Sequence, residues 1–138
     1  MLAVMLTTLA ASAFAQTPQY KPGSVWVVSM VRTKANMSVE YINSLKSNWK
    51  AIHDEAKAQG LILSYMILDG QASSPDDFDI MLMVEVKDYA TMEANREKWD
   101  ALRKKVMLDE DAMKKLNAAR VDIREIYGSK MFREVIYQ

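Results

Sequence analysis

The segment Phe78–Val86, FDIMLMVEV, alternates between two kinds of side chain and decides the fold. Every second position is aliphatic, namely Ile80, Leu82, Val84 and Val86. The positions between them carry acids and methionines, namely Asp79, Met81, Met83 and Glu85. Because the side chains of a strand point alternately to opposite faces, this pattern predicts a strand with one aliphatic face and one mixed face.

Three further segments predict strands, namely Val25–Arg32 (VWVVSMVR), Leu61–Leu68 (LILSYMIL) and Lys130–Tyr137 (KMFREVIY). Each is rich in β-branched, aromatic or other apolar residues that suit a pleated surface. The stretch DGQASSPDD, residues 69–77, is dense in turn residues. It predicts that the second and third strands form an antiparallel pair joined by a long loop.

Apolar residues at helical spacing predict three helices, namely Ser38–Gly60, Tyr89–Met107 and Glu110–Tyr127. Ser38 is the expected N-cap of the first helix, and Asp88 opens the second. Gly60 and Gly128 stand where the first and third helices are expected to end.

The resulting order is β-α-β-β-α-β, which predicts an α+β fold of the ferredoxin-like type with an extra helical segment before the last strand. The helices of such a unit cover one face of the sheet, and the aliphatic face suits them. The length of 138 residues favours a single domain, which is expected to span residues 25–138.

The composition excludes several classes of function. Lys plus Arg and Asp plus Glu are both 18, so the chain has no net charge and no electrostatic preference for nucleic acid. There is no cysteine and only one histidine, which argues against a transition-metal site. We expect neither a metal nor another cofactor.

Residues 1–15, MLAVMLTTLAASAFA, are uncharged and end in the small-large-small triplet of a cleavage site. They predict a signal peptide, too short to span a bilayer, followed by a linker over residues 16–24. The mature protein is then expected to be periplasmic or secreted, without stable membrane insertion. A buried N-terminal helix and a retained membrane anchor are the alternatives.

The mixed face of the sheet keeps most of its positions apolar, although a solvent-facing sheet surface should alternate to polar residues. A contiguous apolar surface of this size is unusual on a monomer. The same face of a second copy is the simplest cover, so we expect a homodimer.

The β-α-β-β-α-β order, the signal-peptide-like start and the terminal strand GSKMFREVIY (residues 128–137) resemble the dimeric α+β barrel superfamily. The resemblance covers residues 25–137 and implies a small exported bacterial member whose two sheets pair face to face into a barrel. The superfamily includes antibiotic-biosynthesis-type monooxygenases, haem-degrading enzymes and muconolactone isomerases. No short motif here is specific to one of them, so the resemblance implies no particular activity.

The mixed face would line the barrel interior, where a small apolar or aromatic molecule is the expected ligand. The candidate ligand-binding residues are Trp26, Met30, Arg32, Ser64, Met66, Met81, Met83 and Arg133. The arginines would hold an anionic or enolic group, and the methionines would form an adaptable apolar wall. A barrel filled by its own side chains, as a structural dimer without ligand, is the alternative.

A second alternative is a cofactor-independent monooxygenase or isomerase, which needs a general base. His53, Asp79 and Glu85 are the candidates. On a helix, His53 lies about 40° from Trp49 and flanks the buried stripe, so a boundary histidine satisfied by solvent is its simplest explanation. The sites of haem-degrading enzymes resemble a trio of Asn, Trp and His. Asn48 and His53 are about 140° apart on one helix and do not converge into such a site.

Overall fold

The structure is a computed structural model that describes residues 18–106 and 109–138. The expected signal peptide, residues 1–15, lies outside the described residues. Over the part of the chain that is described, no helix is both long enough and apolar enough to cross a bilayer.

Four strands form one antiparallel sheet; they are β1 (Tyr20–Thr33), β2 (Ser64–Asp69), β3 (Ile80–Val86) and β4 (Arg124–Tyr137). Their order across the sheet is β2-β3-β1-β4, so β1 and β3 are central and β2 and β4 are edges. Strands that follow one another in the chain are therefore neighbours only in the β2-β3 pair.

The helical segments are α1 (Ser38–Leu45), a π-helical turn (Lys46–Lys50), α2 (Ala51–Ala58), α3 (Tyr89–Ala94), α4 (Arg96–Val106) and α5 (Glu110–Val121). The first three form one rod between β1 and β2. The others connect β3 to β4, and α5 is the expected extra segment before the last strand. This order, together with the strand order, confirms the predicted α+β ferredoxin-like fold.

The ends of the helical rod follow from local chemistry. Gly60 has a φ of 68°, and its N–H donates to the carbonyl of Lys57 at 3.0 Å, while the Leu61 N–H donates to Ala56 at 2.9 Å. This is the Schellman closure that the glycine predicts. At the start of the rod the prediction was wrong, because Met37 is the N-cap and Ser38 is already the first helical residue.

The connection after β3 also departs from the prediction. Asp88 caps α3 as expected, accepting a hydrogen bond from the Thr91 N–H at 2.7 Å, but the helix breaks at Asn95 before α4 begins. The predicted third helix ends at Val121 instead of residue 127. Residues 124–127 belong to β4 because they pair with the end of β1.

Both long strands are longer than predicted. Residues 20–24, assigned to a linker from the sequence, form the first part of β1 and pair with the end of β4. Gly128, expected to end a helix, lies within β4 with a φ of 149°. It adjoins the register shift between Met30 and Val31, where β4 holds one extra residue as a β-bulge.

The register of the central strands confirms the two predicted faces. Val25 and Val27 stand opposite Val86 and Val84, which places the aliphatic residues of both strands together. Trp26 stands opposite Glu85 on the other face, which we call the open face. Its other members on β1, β2 and β3 include Val28, Met30, Met81, Met83, Met66, Leu68 and Ser64.

On β4 the predicted faces were wrong. Arg133 pairs with Val25 and Met131 pairs with Val27, so both lie on the helix-covered side of the sheet. The Arg133 guanidinium lies 5.3 Å from the centre of the Tyr89 ring, at the start of α3. On the open face, β4 contributes Phe132, which pairs with Trp26, and Lys130, which pairs with Val28.

The core between helices and sheet has two parts. One contains Val25, Ala56, Leu61, Ile62, Val86 and Leu102, and the other contains Val31, Tyr41, Leu45, Ile80 and Leu82. Ile62, predicted to lie on the mixed face, is buried in the first part because β2 begins only at Ser64. Leu63 is instead exposed.

Replacing Leu102 by alanine should lower the free energy of unfolding by about 2 to 5 kcal/mol, because it leaves a cavity in the first core cluster. Leu102 is only 2% exposed. Leu63→Ala makes the same change at a side chain that is 49% exposed and should cost no more than about 0.5 kcal/mol. Urea denaturation of the two variants checks this, and equal losses would mean that the core is placed wrongly.

Candidate functional site

One candidate site is a cleft of about 400 Å³ between the helices and the sheet. Its walls are formed by Val27, Val84 and Val86 from the sheet, by His53 from α2, and by Met92, Glu93, Arg96, Trp99 and Arg103 from α3 and α4. The volume lies within the range of small-molecule sites, about 300 to 1,000 Å³. We call it the His53 cleft.

The backbone bond of His53 determines which ring nitrogen faces the ligand space. His53 Nδ1 lies 2.6 Å from the carbonyl oxygen of Trp49, one helical turn earlier. A carbonyl oxygen only accepts, so Nδ1 carries the proton and donates it. In the neutral ring Nε2 then holds a lone pair, and no described residue donates a hydrogen bond to it.

Burial keeps this imidazole neutral. The pKa of His53 is lowered from its ordinary value of 6.5, chiefly because burial disfavours the charged ring. The hydrogen bond to Trp49 and the nearby Asp54 carboxylate oppose this effect but do not reverse it. At neutral pH the cleft therefore presents an uncharged hydrogen-bond acceptor.

Three aromatic rings surround His53 and hold its orientation. The Trp49 ring centre lies 4.2 Å away at an angle of 37°, and the rings of Tyr65 and Trp99 lie 5.7 Å and 6.0 Å away. Tyr65 meets Trp49 edge-on at 5.4 Å. Such pairs favour tilted and edge-to-face geometry, so the imidazole is packed in a preformed aromatic wall.

A chain of polar contacts fixes Tyr65 in that wall. Its hydroxyl donates to Oδ1 of Asp54, and Lys50 Nζ donates to Oδ2 of the same carboxylate at 2.6 Å. The hydrogen bond from Lys50 is the largest cause that lowers the pKa of Asp54, and Asp54 in turn raises the pKa of Tyr65. Asp54 is therefore an ionised anchor at the surface, whereas His53, its neighbour in sequence, points into the cleft.

Two arginines stand at the rim of the His53 cleft. Arg96 donates to Glu93 at 2.7 Å, and Arg103 donates to Asp100 at 2.5 Å, each within one helical turn. Exposed pairs of this kind contribute only about 0 to 1 kcal/mol. Either guanidinium can consequently exchange its partner for a ligand at little cost.

The three base candidates do not converge. Asp79 accepts hydrogen bonds from the Thr33 N–H at 2.9 Å and from the Thr33 hydroxyl, and it ties the end of β1 to the loop before β3. Glu85 lies on the open face, where it accepts from the Ser64 hydroxyl at 2.6 Å. Of these three side chains, only His53 lines the cleft.

The predicted ligand-binding residues do not all lie together. Trp26, Met30, Ser64, Met66, Met81 and Met83 share the open face, as predicted. Arg32 donates to the backbone carbonyl of Asp77 at 3.1 Å, beside the loop that follows β2. Arg133 does not belong with them, because the register of β4 places it on the helix-covered side.

The walls of the cleft have the sequence pattern of core residues. Met92 and Trp99 have the helical spacing of buried residues, and Val84 has the alternation of a buried strand face. Nothing in that spacing distinguishes a wall from a filled core. The cleft exists because α3, α4 and α2 leave a gap over β3, which is a property of their packing.

The fold and the cleft define a ferredoxin-like α+β subunit with a helix-side pocket. No protein-family model and no curated protein sequence matches this chain. A dimeric ferredoxin-like protein from an uncultured marine organism is 14% identical, with a TM-score of 0.49, over 86% of this chain and 98% of that one. HapK from Hahella chejuensis is also 14% identical, with a TM-score of 0.39, over 80% and 91% of the two chains. Because both scores are low, the fold assignment rests on the strand order, and neither likeness carries an argument about function.

Acidification should reveal the buried imidazole. Since the pKa of His53 is lower in the folded state than in the unfolded chain, the unfolded chain binds a proton first as pH falls below about 6.5. Stability contributed by the neutral ring is therefore lost between about pH 7 and the folded pKa. His53→Asn keeps a donor near Nδ1 but does not titrate, so its free energy of unfolding should fall less over this range.

Urea denaturation at about pH 7.5 and about pH 5 compares the two proteins. The pKa values of the Asp54 and Glu55 carboxylates are lowered from 3.8 and 4.5, so these groups titrate below the pH range compared here. A wild-type protein that gains stability relative to His53→Asn on acidification would contradict the assignment, because it would mean that the folded state favours the imidazolium.

Proposed function

We propose that this protein is an exported homodimer that binds a small apolar or aromatic molecule in the His53 cleft. The observation that carries the proposal is the Nε2 acceptor of His53, set in an aromatic wall beside a space of about 400 Å³. A ligand that suits it is flat and apolar and bears one hydroxyl or N–H group.

The chemistry of the walls supports this ligand class. Val84, Val86 and Met92 offer apolar surface, and Trp99 offers an indole for ring contacts. The neutral imidazole accepts one hydrogen bond and so orients the ligand. The arginines at the rim suit an acidic hydroxyl or an enolate.

The open face supports a second copy as the partner. On this face Met66, Leu68 and Phe132 are 38%, 43% and 52% exposed. β4 is also an edge strand, and one side of it has no partner in the described sheet. Burying such a surface against its own copy is favourable and removes an edge that invites aggregation.

Export remains a proposal from the sequence. It is supported by the uncharged apolar segment of residues 1–15 and its A-x-A ending. The absence of cysteine is neutral on this point, since a small exported protein with a sufficient core needs no disulfide.

Catalysis by His53 is the second candidate function, and one observation favours it. The lowered pKa and the fixed Nδ1–H leave Nε2 free to take a proton at neutral pH. His53 would then act as the general base that a cofactor-independent monooxygenase or isomerase needs. Asp79 and Glu85 are less suited, because hydrogen bonds already occupy their carboxylates.

Binding of 2-naphthol tests the proposal, because this compound is flat and aromatic and bears one hydroxyl group. Isothermal titration should show one site per subunit. Trp99→Ala removes the indole from the cleft wall and should raise the dissociation constant at least about tenfold. Trp26→Ala removes the same side chain from the open face and should leave the affinity unchanged.

The opposite pattern, with binding lost in Trp26→Ala and kept in Trp99→Ala, would move the ligand to the barrel interior between two open faces. Absence of 2-naphthol binding in the wild type would remove the support for an aromatic ligand. Mass spectrometry of the same incubations separates the two candidate functions, because conversion of 2-naphthol that His53→Asn abolishes would indicate catalysis.

Introducing a charge on the open face should dissociate the dimer. Met83 lies between Val28 and Met66 in the sheet, so Met83→Glu places an unpaired carboxylate at the centre of the interface. We expect a dissociation constant raised about a hundredfold or more. Val39→Glu makes a matched change on the outer side of α1, where Val39 is 69% exposed.

Light scattering after size-exclusion chromatography measures both variants. The wild type and Val39→Glu should be dimers, and Met83→Glu a monomer with an unchanged far-ultraviolet circular dichroism spectrum. A Met83→Glu protein that stays dimeric would show that the open face is not the interface, and a monomeric wild type would show that there is none.

A further inference from the structure

A second polar site lies around the guanidinium of Arg120, beside the π-helical turn of the helical rod. This side chain is only 7% exposed, and it is the one buried charged residue of the described ranges. Its Nη2 donates to the carbonyl of Ser44 at 2.9 Å and to Oδ1 of Asn48 at 2.8 Å. Its Nε is buried without any hydrogen-bond partner.

No carboxylate compensates this buried charge. All 18 Asp and Glu residues lie in the described ranges, and none forms an ion pair with Arg120. The titratable groups that face it are Tyr41 and Arg124. Burial raises the pKa of Tyr41, so its hydroxyl is neutral, and Arg124 adds a second positive charge 5.8 Å from the Tyr41 ring.

A cavity of about 160 Å³ adjoins the guanidinium and is lined by Asn48, Trp49, Ile52 and Arg120. The π-helical turn supplies both Asn48 and Trp49, and such turns are frequent at functional sites. The Asn48 amide nitrogen has only a long contact of 4.0 Å to Met113 Sδ, so its donor capacity is mostly unused. A cavity of about 150 Å³ admits a molecule the size of benzene.

We propose that this cavity binds a small monocarboxylate, no larger than benzoate. The carboxylate accepts hydrogen bonds from the Arg120 guanidinium and from Nδ2 of Asn48, while the apolar part of the molecule packs on Trp49 and Ile52. The planar guanidinium matches the geometry of a carboxylate, and one anionic group supplies the missing counter-charge.

A purely structural role for Arg120 explains these features less well. A neutral donor would suffice for the bonds to Ser44 and Asn48, and burying a full charge to make them is costly. An isolated buried charge without a partner destabilises a protein, whereas a paired and hydrogen-bonded one is tolerated. An anion in the adjoining cavity provides that pair.

Isothermal titration of the full chain with benzoate, benzamide and inorganic phosphate tests the proposal. Benzamide has the shape of benzoate without its charge, and phosphate has the charge without an apolar part. Benzoate should bind with one site per subunit, and at least about tenfold more tightly than either control.

Two variants locate the binding. Arg120→Met removes the charge and keeps an apolar side chain of similar length, so benzoate affinity should fall at least about tenfold. Asn48→Asp places a carboxylate of the chain itself against Arg120; it should raise the melting temperature and abolish benzoate binding. Lys115→Met removes an exposed positive charge from the same helix, α5, and should bind benzoate like the wild type.

Loss of binding in Asn48→Asp together with a raised melting temperature supports the proposal even if Arg120→Met does not fold. Absence of benzoate binding in the wild type, equal binding of benzamide, preference for phosphate, or binding that Asn48→Asp leaves intact would each overturn it. A negative result leaves the proposal for the His53 cleft standing, because neither Arg120 nor Asn48 lines that cleft.

Discussion

The double pairing of β1 positions every other part of the molecule. This strand of 14 residues bonds to β3 on one side and to β4 on the other, so its side-chain alternation is imposed on both neighbours. Val25 and Val31 anchor the two parts of the helix-side core, one at each end. A shift of β1 by one residue would exchange the aliphatic and methionine-rich faces, which is why the register is strongly specified.

The sequence predicts the central part of this arrangement and fails toward its edges. Regular alternation in Phe78–Val86 and Val25–Arg32 identifies both central strands, since each has one buried face. The boundary between α5 and β4 was missed because Val121, Ile123 and Ile126 suit a helix as well as a strand; pairing with the end of β1 decides the outcome. Arg133 was placed on the wrong face because both alternate sets of side chains in Lys130–Tyr137 mix apolar and charged residues, so only the pairing with β1 decides which set faces the helices.

Candidate sites are predictable only where a residue type is rare. His53 stands out as the single histidine, but its place in a cleft depends on how α3 and α4 pack, which no local pattern records. The burial of Arg120 is not predicted by the sequence, since arginine on a helix is usually exposed. The two buried side chains differ in charge. His53 loses its charge, whereas Arg120 keeps its charge and lacks a counter-ion.

The thioether side chains of the open face have a chemical consequence. Met30, Met66, Met81 and Met83 lie side by side across three strands. Oxidation of methionine to its sulfoxide turns a flexible apolar group into a polar one, and this can be reversed only by dedicated reductases. In the proposed dimer, peroxide would therefore place polar sulfoxides in the interface and weaken the association of the two copies, whereas leucine at the same positions would not react.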